Sequence, residues 1–121
     1  MNVLHHRESE REAWWRPRAE GVAAYIATRL ASSDVVLLQE WWCDARFEAV
    51  FDAATGDAFE RVAERRPGGG EAGGERCGGM CCLVRRAGAL ELVASDRVVT
   101  RPQRIAQIVQ CRERYSDGEG A

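Results

Sequence analysis

Asp34-Val35-Val36-Leu37-Leu38-Gln39-Glu40-Trp41-Trp42 is the stretch whose reading decides the fold. The four consecutive aliphatic residues Val35 to Leu38 make a run too short for a helix, and they read as a strand buried on both faces. An acid closes the run. Side chains alternate across a strand, so Val36, Leu38 and Glu40 are expected on one face, with a carboxylate in line with buried side chains. A carboxylate there is costly unless it is paired or binds a cation. The plainer alternative places Glu40 just past the strand end, solvated and without a role.

Working outward toward the amino terminus, a helix is expected from about Glu12 to Ala31. Trp15, Val22, Ile26 and Leu30 fall on one stripe, with Arg18, Glu20 and Arg29 outside it. Pro17 is acceptable only in a first turn, where no amide donor is lost, which puts the helix start near Trp14 to Arg16. Met1–Leu4 reads as the end of a strand and His5 to Arg11 as a polar connection. Adjacent His5 and His6 point to opposite sides of an extended chain and have no third ligand nearby, so solvated loop histidines are expected. Strand, long helix and strand in succession suggest an α/β crossover unit.

Toward the carboxyl terminus, Asp44 is a plausible N-cap for a second helix. Phe47, Val50, Phe51 and Ala54 would form its apolar face and Gly56 its stop. Phe59–Ala63 reads as a short strand. Residues 64–79 are rich in Gly, Arg and Glu, lack periodicity and read as a mobile loop; without a GK[ST] ending they are not a P-loop. The last third reads as antiparallel sheet. Met80–Val84 is apolar, Arg85–Gly88 is a tight connection, Leu90, Leu92 and Ala94 share a face, and Ile105, Gln107, Val109 and Cys111 alternate in a further strand. Tyr115 to Ala121 is a polar tail, with Asp117-Gly118-Glu119 too short for a calcium loop.

The 121 residues suffice for one domain with a core. Seventeen basic residues, all arginine, face 19 acidic ones, for a net charge of −2. That balance argues against non-specific binding to nucleic acid or anionic membrane. There is no apolar run of the roughly 20 residues of a membrane span and no signal-peptide layout, so a cytoplasmic or nuclear location is expected. Cys43, Cys77, Cys81, Cys82 and Cys111 form no CxxC pair, and a zinc site is not expected from their spacing. Cys81 and Cys82, inside an apolar run, read as small buried hydrophobes.

These elements, in this order, resemble the first half of the endonuclease/exonuclease/phosphatase superfamily, the DNase I-like fold. Asn2-Val3-Leu4 resembles the asparagine-bearing end of that family's first strand, and Trp15-x2-Arg18-x3-Val22 the opening of its first helix. Val35–Glu40 resembles its hydrophobic strand ending in Leu-Gln-Glu, the most specific of these motifs. Met80–Arg86 followed by Arg104-Ile105-Ala106-Gln107 resembles its glycine-led hairpin and next strand. The run from Arg7-Glu8-Ser9-Glu10 through Trp15 to Gln39-Glu40 is similar to a calcium-binding, deadenylase-like subgroup.

The resemblance implies an α/β fold spanning residues 1–121, half of a DNase I-like sandwich with two helices on a mixed, mostly antiparallel sheet. It implies that Glu40 is a ligand of a catalytic Mg²⁺ with Asn2 beside it, and that the substrate is a phosphate ester, RNA among the candidates. The metal polarises a phosphoryl oxygen for attack by water. The family's catalytic histidine, its Asp-x-Asn pair and its terminal Ser-Asp-His have no counterpart here, since the only histidines are His5 and His6. The chain is therefore expected to be an incomplete or degenerate member, inactive alone. Two other readings stand beside this one. The first is a non-catalytic module that docks a partner through uncovered apolar surface. The second is a nucleic-acid-binding remnant using Arg65, Arg66, Arg76, Arg85 and Arg86.

Overall fold

The computed structural model describes residues 3–67, 78–102 and 104–114, the side chains beginning at Glu12. Its elements run α1 (Val3–Arg29), β1 (Val35–Trp42), α2 (Ala45–Thr55), β2 (Phe59–Arg65), β3 (Gly78–Arg85), β4 (Leu90–Arg101) and β5 (Arg104–Glu113). The fold is α/β. A three-stranded sheet of order β1-β3-β2 and a separate β4–β5 hairpin are both antiparallel throughout. No parallel crossover joins the described strands, and β3 pairs with β1 and β2, not with β4 as the sequence suggests.

The amino-terminal expectation is overturned. Val3 and the residues after it are helical, so there is neither a strand ending at Leu4 nor a loop at 5–11, and Pro17 lies inside α1. An interior proline removes one i→i−4 bond and costs about 3 kcal/mol. Local charge pairing offsets part of that cost: Arg16 bonds Glu12 at 2.7 Å and Glu20 at 3.3 Å, and Arg46 of α2 reaches Glu12 at 3.2 Å. The buried stripe of α1 is Trp15, Ala19, Ala23 and Ile26, with Leu30 partly covered. Val22 is instead exposed, because small alanines bring the helix close along the neighbouring line.

α2 follows its sequence signals. The Asp44 side chain accepts from the Arg46 and Phe47 amides, and Gly56 ends the helix by donating its N–H to the Asp52 carbonyl. Val50 and Phe51 are buried as expected. The third inward position is Thr55 and not Ala54; its hydroxyl is satisfied by the Phe51 carbonyl at 2.7 Å.

Register fixes which side of the sheet each residue meets. Arg61, Ala63, Cys81, Leu83 and Val36 face the helices, and the α1 and α2 stripes close over them. The opposite face carries Val62, Glu64 and Cys82, and there the hairpin packs: Gln107 donates to the Val62 carbonyl at 3.2 Å and Ser95 to Glu64 at 2.7 Å. The inward row of β5, Ile105 to Cys111, is as the alternation predicts. On β4 a register break after Leu92 leaves Ala94 exposed and turns Ser95 inward. The hairpin stops short of β1, so β1 is buried on one face only and Leu37 is 70 % exposed.

One polar network ties the core together. The Trp41 indole donates to Glu48 at 2.9 Å, and Arg61 bridges Glu48 and Asp52, making two bonds of 2.8 and 3.0 Å to Asp52. The Asp52 bond foremost, against a desolvation cost, raises the Arg61 pKa and holds the guanidinium charged. The Arg61 guanidinium also lies over the Trp41 ring, 5.8 Å from its centroid. Trp41→Ala is expected to cost about 3–5 kcal/mol by urea unfolding. Arg61→Ala, whose strongest partner Asp52 is half in water, is expected to cost only about 1 kcal/mol. Equal costs for the two variants would show that the ion pairs, not the indole, hold the layers.

Candidate functional site

The strand β1 does not run straight through its acid. Leu38 pairs with Cys81 and Trp41 with Gly79, so Gln39 and Glu40 together face the single residue Met80. This is a β-bulge. Glu40 takes φ 53°, the left-handed region, where a residue with a Cβ is strained by roughly 1–2 kcal/mol. The extra residue shifts the alternation: Trp41, 2 % exposed, takes the inward place after Val36 and Leu38, and Glu40 is turned out to solvent. The expectation of Glu40 in line with the buried row is corrected accordingly. The carboxylate is neither buried nor simply past the strand end, since β1 continues to Trp42.

The bulge opens on a cleft of about 640 Å³ at the end of the sheet where β1 and β2 finish and β3 and β5 begin. Gln39 and Glu40 form one wall, Arg66 and Arg104 contribute two guanidinium side chains, and Gly78 and Gly79 form the floor. Gly79 is sterically required, and Gly78 leaves room for an arginine. A Cβ on Gly79 would collide with the Glu64 carbonyl oxygen, and one on Gly78 with the Arg66 guanidinium that lies across it. A carboxylate and two cations around an open glycine floor can hold a cation and an anion side by side, the charge pattern of a metal-bound phosphate.

A second hollow, of about 400 Å³, shares Gln39, Glu40 and Trp42 with the first. It lies between α1, β1 and α2 and is aromatic: Trp14, Trp42, Phe47 and Phe51 contribute to its walls. Trp42 meets Phe47 edge-on at 5.7 Å and Trp15 at 5.8 Å, which locks its ring. Trp14 is free on its outer face and carries the Arg18 guanidinium 5.9 Å from its ring centroid.

Of the residues singled out from sequence, Glu40 and Arg66 reach the cleft. Asn2 lies outside the described residues, as do Cys77 and Arg76. His5 and His6 fall within α1. The arginine set suggested for nucleic acid is not brought together. Arg85 bonds Asp34 at 2.9 Å and Arg86 the Gly56 carbonyl at 3.0 Å, at the opposite end of β3 from Arg65 and Arg66. Arg104, Gln39, Trp14 and Trp42 escaped sequence reasoning as site residues, because only a bulge brings β1's end, α1 and the start of β5 to one edge. No protein-family model, curated protein or solved structure matches the chain.

Cys81 and Cys82 are buried, as read from sequence. Burial pushes Cys81 up to about 12 and Cys82 up to about 11, so neither is a nucleophile near neutrality. Among the described residues no group of three or more His, Cys, Asp or Glu side chains gathers as a metal cluster.

Two outcomes follow from this geometry. Replacing Glu40 by glycine removes the left-handed penalty and is expected to raise stability by about 0.5–1 kcal/mol in chemical unfolding, whereas Glu40→Val should lower it. A destabilised glycine variant would mean the carboxylate itself holds the bulge. The thiols give a pH dependence. Unfolded cysteines ionise near 9.0, below the folded values, so their contribution to stability is complete below pH 9 and is lost as pH rises toward 11–12. Native Cys81 and Cys82 should resist alkylation at pH 8, followed by mass spectrometry, and react once urea is added.

Proposed function

We infer that the cleft at the β1 bulge is the metal-and-phosphate-holding part of a phosphoester hydrolase of the endonuclease/exonuclease/phosphatase type. The observation that carries this reading is the bulge itself. A charged residue is kept in a strained left-handed conformation, with its carboxylate at the rim of a cleft that also holds two arginines. Strain retained at one such point is a mark of a functional position. The Leu38-Gln39-Glu40 motif, the order of the elements from α1 onward and the antiparallel sheet support the same reading.

The donor set fits Mg²⁺. That ion takes hard oxygen ligands, keeps several waters and is commonly bound by one or two carboxylates together with substrate phosphate. The Glu40 carboxylate and the Gln39 side-chain oxygen would hold it, with waters completing the shell. When bound, the metal supplies Lewis-acid polarisation of a phosphoryl oxygen. Arg66 and Arg104 bind and orient the phosphate by charge-assisted bonds. Among the described residues that line the cleft, Arg66 and Arg104 bind and orient the ester, and none is a histidine or a second carboxylate that could act as general base. Alone, the chain is expected to bind without turnover.

A docking module is the second reading, favoured by Leu37 on the part of the sheet that the hairpin leaves bare. The metal reading is checked by titrating Mn²⁺, a paramagnetic substitute for Mg²⁺, and following free ion by electron paramagnetic resonance. Saturable binding with a Kd on the order of 10⁻³ M is expected, at the weak end for oxygen-ligand sites, and Glu40→Gln should abolish it. Undiminished binding in that variant would remove Glu40 from the metal site and the reading with it.

A further inference from the structure

We propose that the outer edge of β1 takes up an extended acidic peptide as an added strand, with the apolar side chains of that peptide seated between β1 and α1. The proposal stands on the geometry of those two elements and not on the phosphoester reading. The first observation is an open edge. β1 is the outermost strand in the order β1-β3-β2. The Asp34 carbonyl accepts from the Arg85 amide at 2.9 Å, and backbone groups alternate in direction along an antiparallel pair. Val36 and Leu38 therefore turn their N–H and C=O groups to β3, while Val35 and Leu37 turn theirs outward. Among the described residues no bond reaches those outward groups. Proteins blunt such edges with charge, proline or a bulge. The opposite edge, β2, is blunted: Glu60, Arg61, Glu64 and Arg65 are charged, and the Arg97 guanidinium takes the Arg65 carbonyl. Val35 to Leu38 carries neither charge nor proline, and the bulge begins only after Leu38.

The second observation is a helix flank turned toward that edge. Trp14, Arg18, Val22, Tyr25 and Arg29 recur at spacings of four, four, three and four, which is one line along α1 beside its buried stripe, and all five are exposed. Trp14, Arg18 and Val22 form one wall of the aromatic hollow, and β1 from Leu38 to Trp42 forms another. α1 then leads through a short turn into β1, so the Tyr25 and Arg29 end of the line runs along Val35–Leu38. A trough between a helix and an open strand edge is the shape that strand addition uses: main-chain bonds give affinity, and pockets for alternate side chains give specificity. A peptide residue opposite Leu38 enters the hollow, one opposite Val36 faces the Tyr25 end of α1, and one opposite Leu37 covers that bare side chain on the other face.

The third observation, charge, chooses the occupant. The charged residues on this line of α1 are both arginines. Arg18 rests on the Trp14 ring, 5.9 Å from its centroid. The acids of α1 from residue 12 onward, Glu12 and Glu20, are both bonded to Arg16 instead. A second copy of the chain seated on the same edge would bring these cations against themselves, whereas a peptide that carries Asp or Glu beside its apolar residues neutralises them.

The test selects phage-displayed random peptides of about nine residues, a long strand, on the full chain in EDTA. Enrichment of peptides that alternate apolar residues and carry Asp or Glu is expected; no enrichment, or enrichment of basic or proline-rich peptides, overturns the proposal. The selected peptide is then synthesised and added while hydrogen exchange is followed by NMR. The Val35 and Leu37 amides should exchange fast in the free chain and slow on binding, with Val36 and Leu38 protected throughout. Binding that leaves Val35 and Leu37 fast would rule out strand addition. In fluorescence anisotropy Leu37→Pro, which removes one outward N–H and spares the β3 ladder, should weaken binding about tenfold. Arg18→Glu/Arg29→Glu should also lose about tenfold, less at high salt. Both of those positions are exposed, so this variant decides the matter if the proline variant does not fold, and parental binding by it overturns the proposal. A doubled mass with Val35 and Leu37 protected before any peptide is added would give the edge to a second copy and equally overturn it. Because EDTA is present throughout, peptide binding and the Mn²⁺ titration at Glu40 succeed or fail separately.

Discussion

The bulge at Gln39-Glu40 decides what the core contains. With an unbroken ladder, Glu40 would point among Val36, Leu38 and the helices, and Trp41 would point away. An unpaired carboxylate in that position costs several kcal/mol. An indole buried there removes about 150–250 Å² from water, worth roughly 4–6 kcal/mol at the usual area coefficient. Against both, one left-handed residue costs about 1–2 kcal/mol. The bulge wins by a wide margin, and Trp41 then finds Phe47 at 5.0 Å, Phe51 at 4.8 Å and Glu48 for its N–H. The position of α2, the closure of Arg61 over the indole and the outward turn of Glu40 all depend on that one inserted residue.

The same exchange makes the site. A strand that presented Trp41 inward without a bulge would need its acid elsewhere, and no cleft wall would carry a carboxylate. Gly78 and Gly79, directly across the ladder, complete the arrangement, because their missing side chains admit both the close β2–β3 approach and the Arg66 guanidinium. Packing and chemistry are thus two consequences of one backbone irregularity. Glycine would relieve the strain at position 40, and the residue present there is one that a glycine cannot replace in charge.

Much of the fold is legible in the sequence where a local signal has a single physical reading. Val35–Leu38 can only be a strand at that length and composition. Asp44 caps α2 because its side chain reaches the Arg46 and Phe47 amides, and the β5 alternation survives because that strand is regular. What is not legible depends on longer range. Period-two reasoning on Glu40 fails since a one-residue insertion is invisible to alternation, although Trp41-Trp42 after a polar pair is the trace it leaves. Pro17 misplaces the start of α1, because a proline penalty of about 3 kcal/mol is tolerated by a 27-residue helix with a packed stripe and flanking ion pairs.

The candidate site is legible only in part for the same reason. Glu40 stands out because an acid ends an aliphatic run and Arg66 belongs to a set of arginines that the fold divides, whereas Arg104 and Trp14 look like ordinary solvated or core residues until the sheet order is known. β1 and β5 are neighbours neither in sequence nor in any ladder; their ends come to line one cleft because the hairpin folds back over β2 and β3. Charge follows the same logic. Seventeen arginines against 19 acids read as neutral in composition, yet antiparallel pairing sends Arg85 and Arg86 to one end of the sheet and Arg65 and Arg66 to the other. A near-zero sum therefore excludes a uniformly basic protein and leaves a locally basic edge entirely open, and that edge is where the strained acid is found.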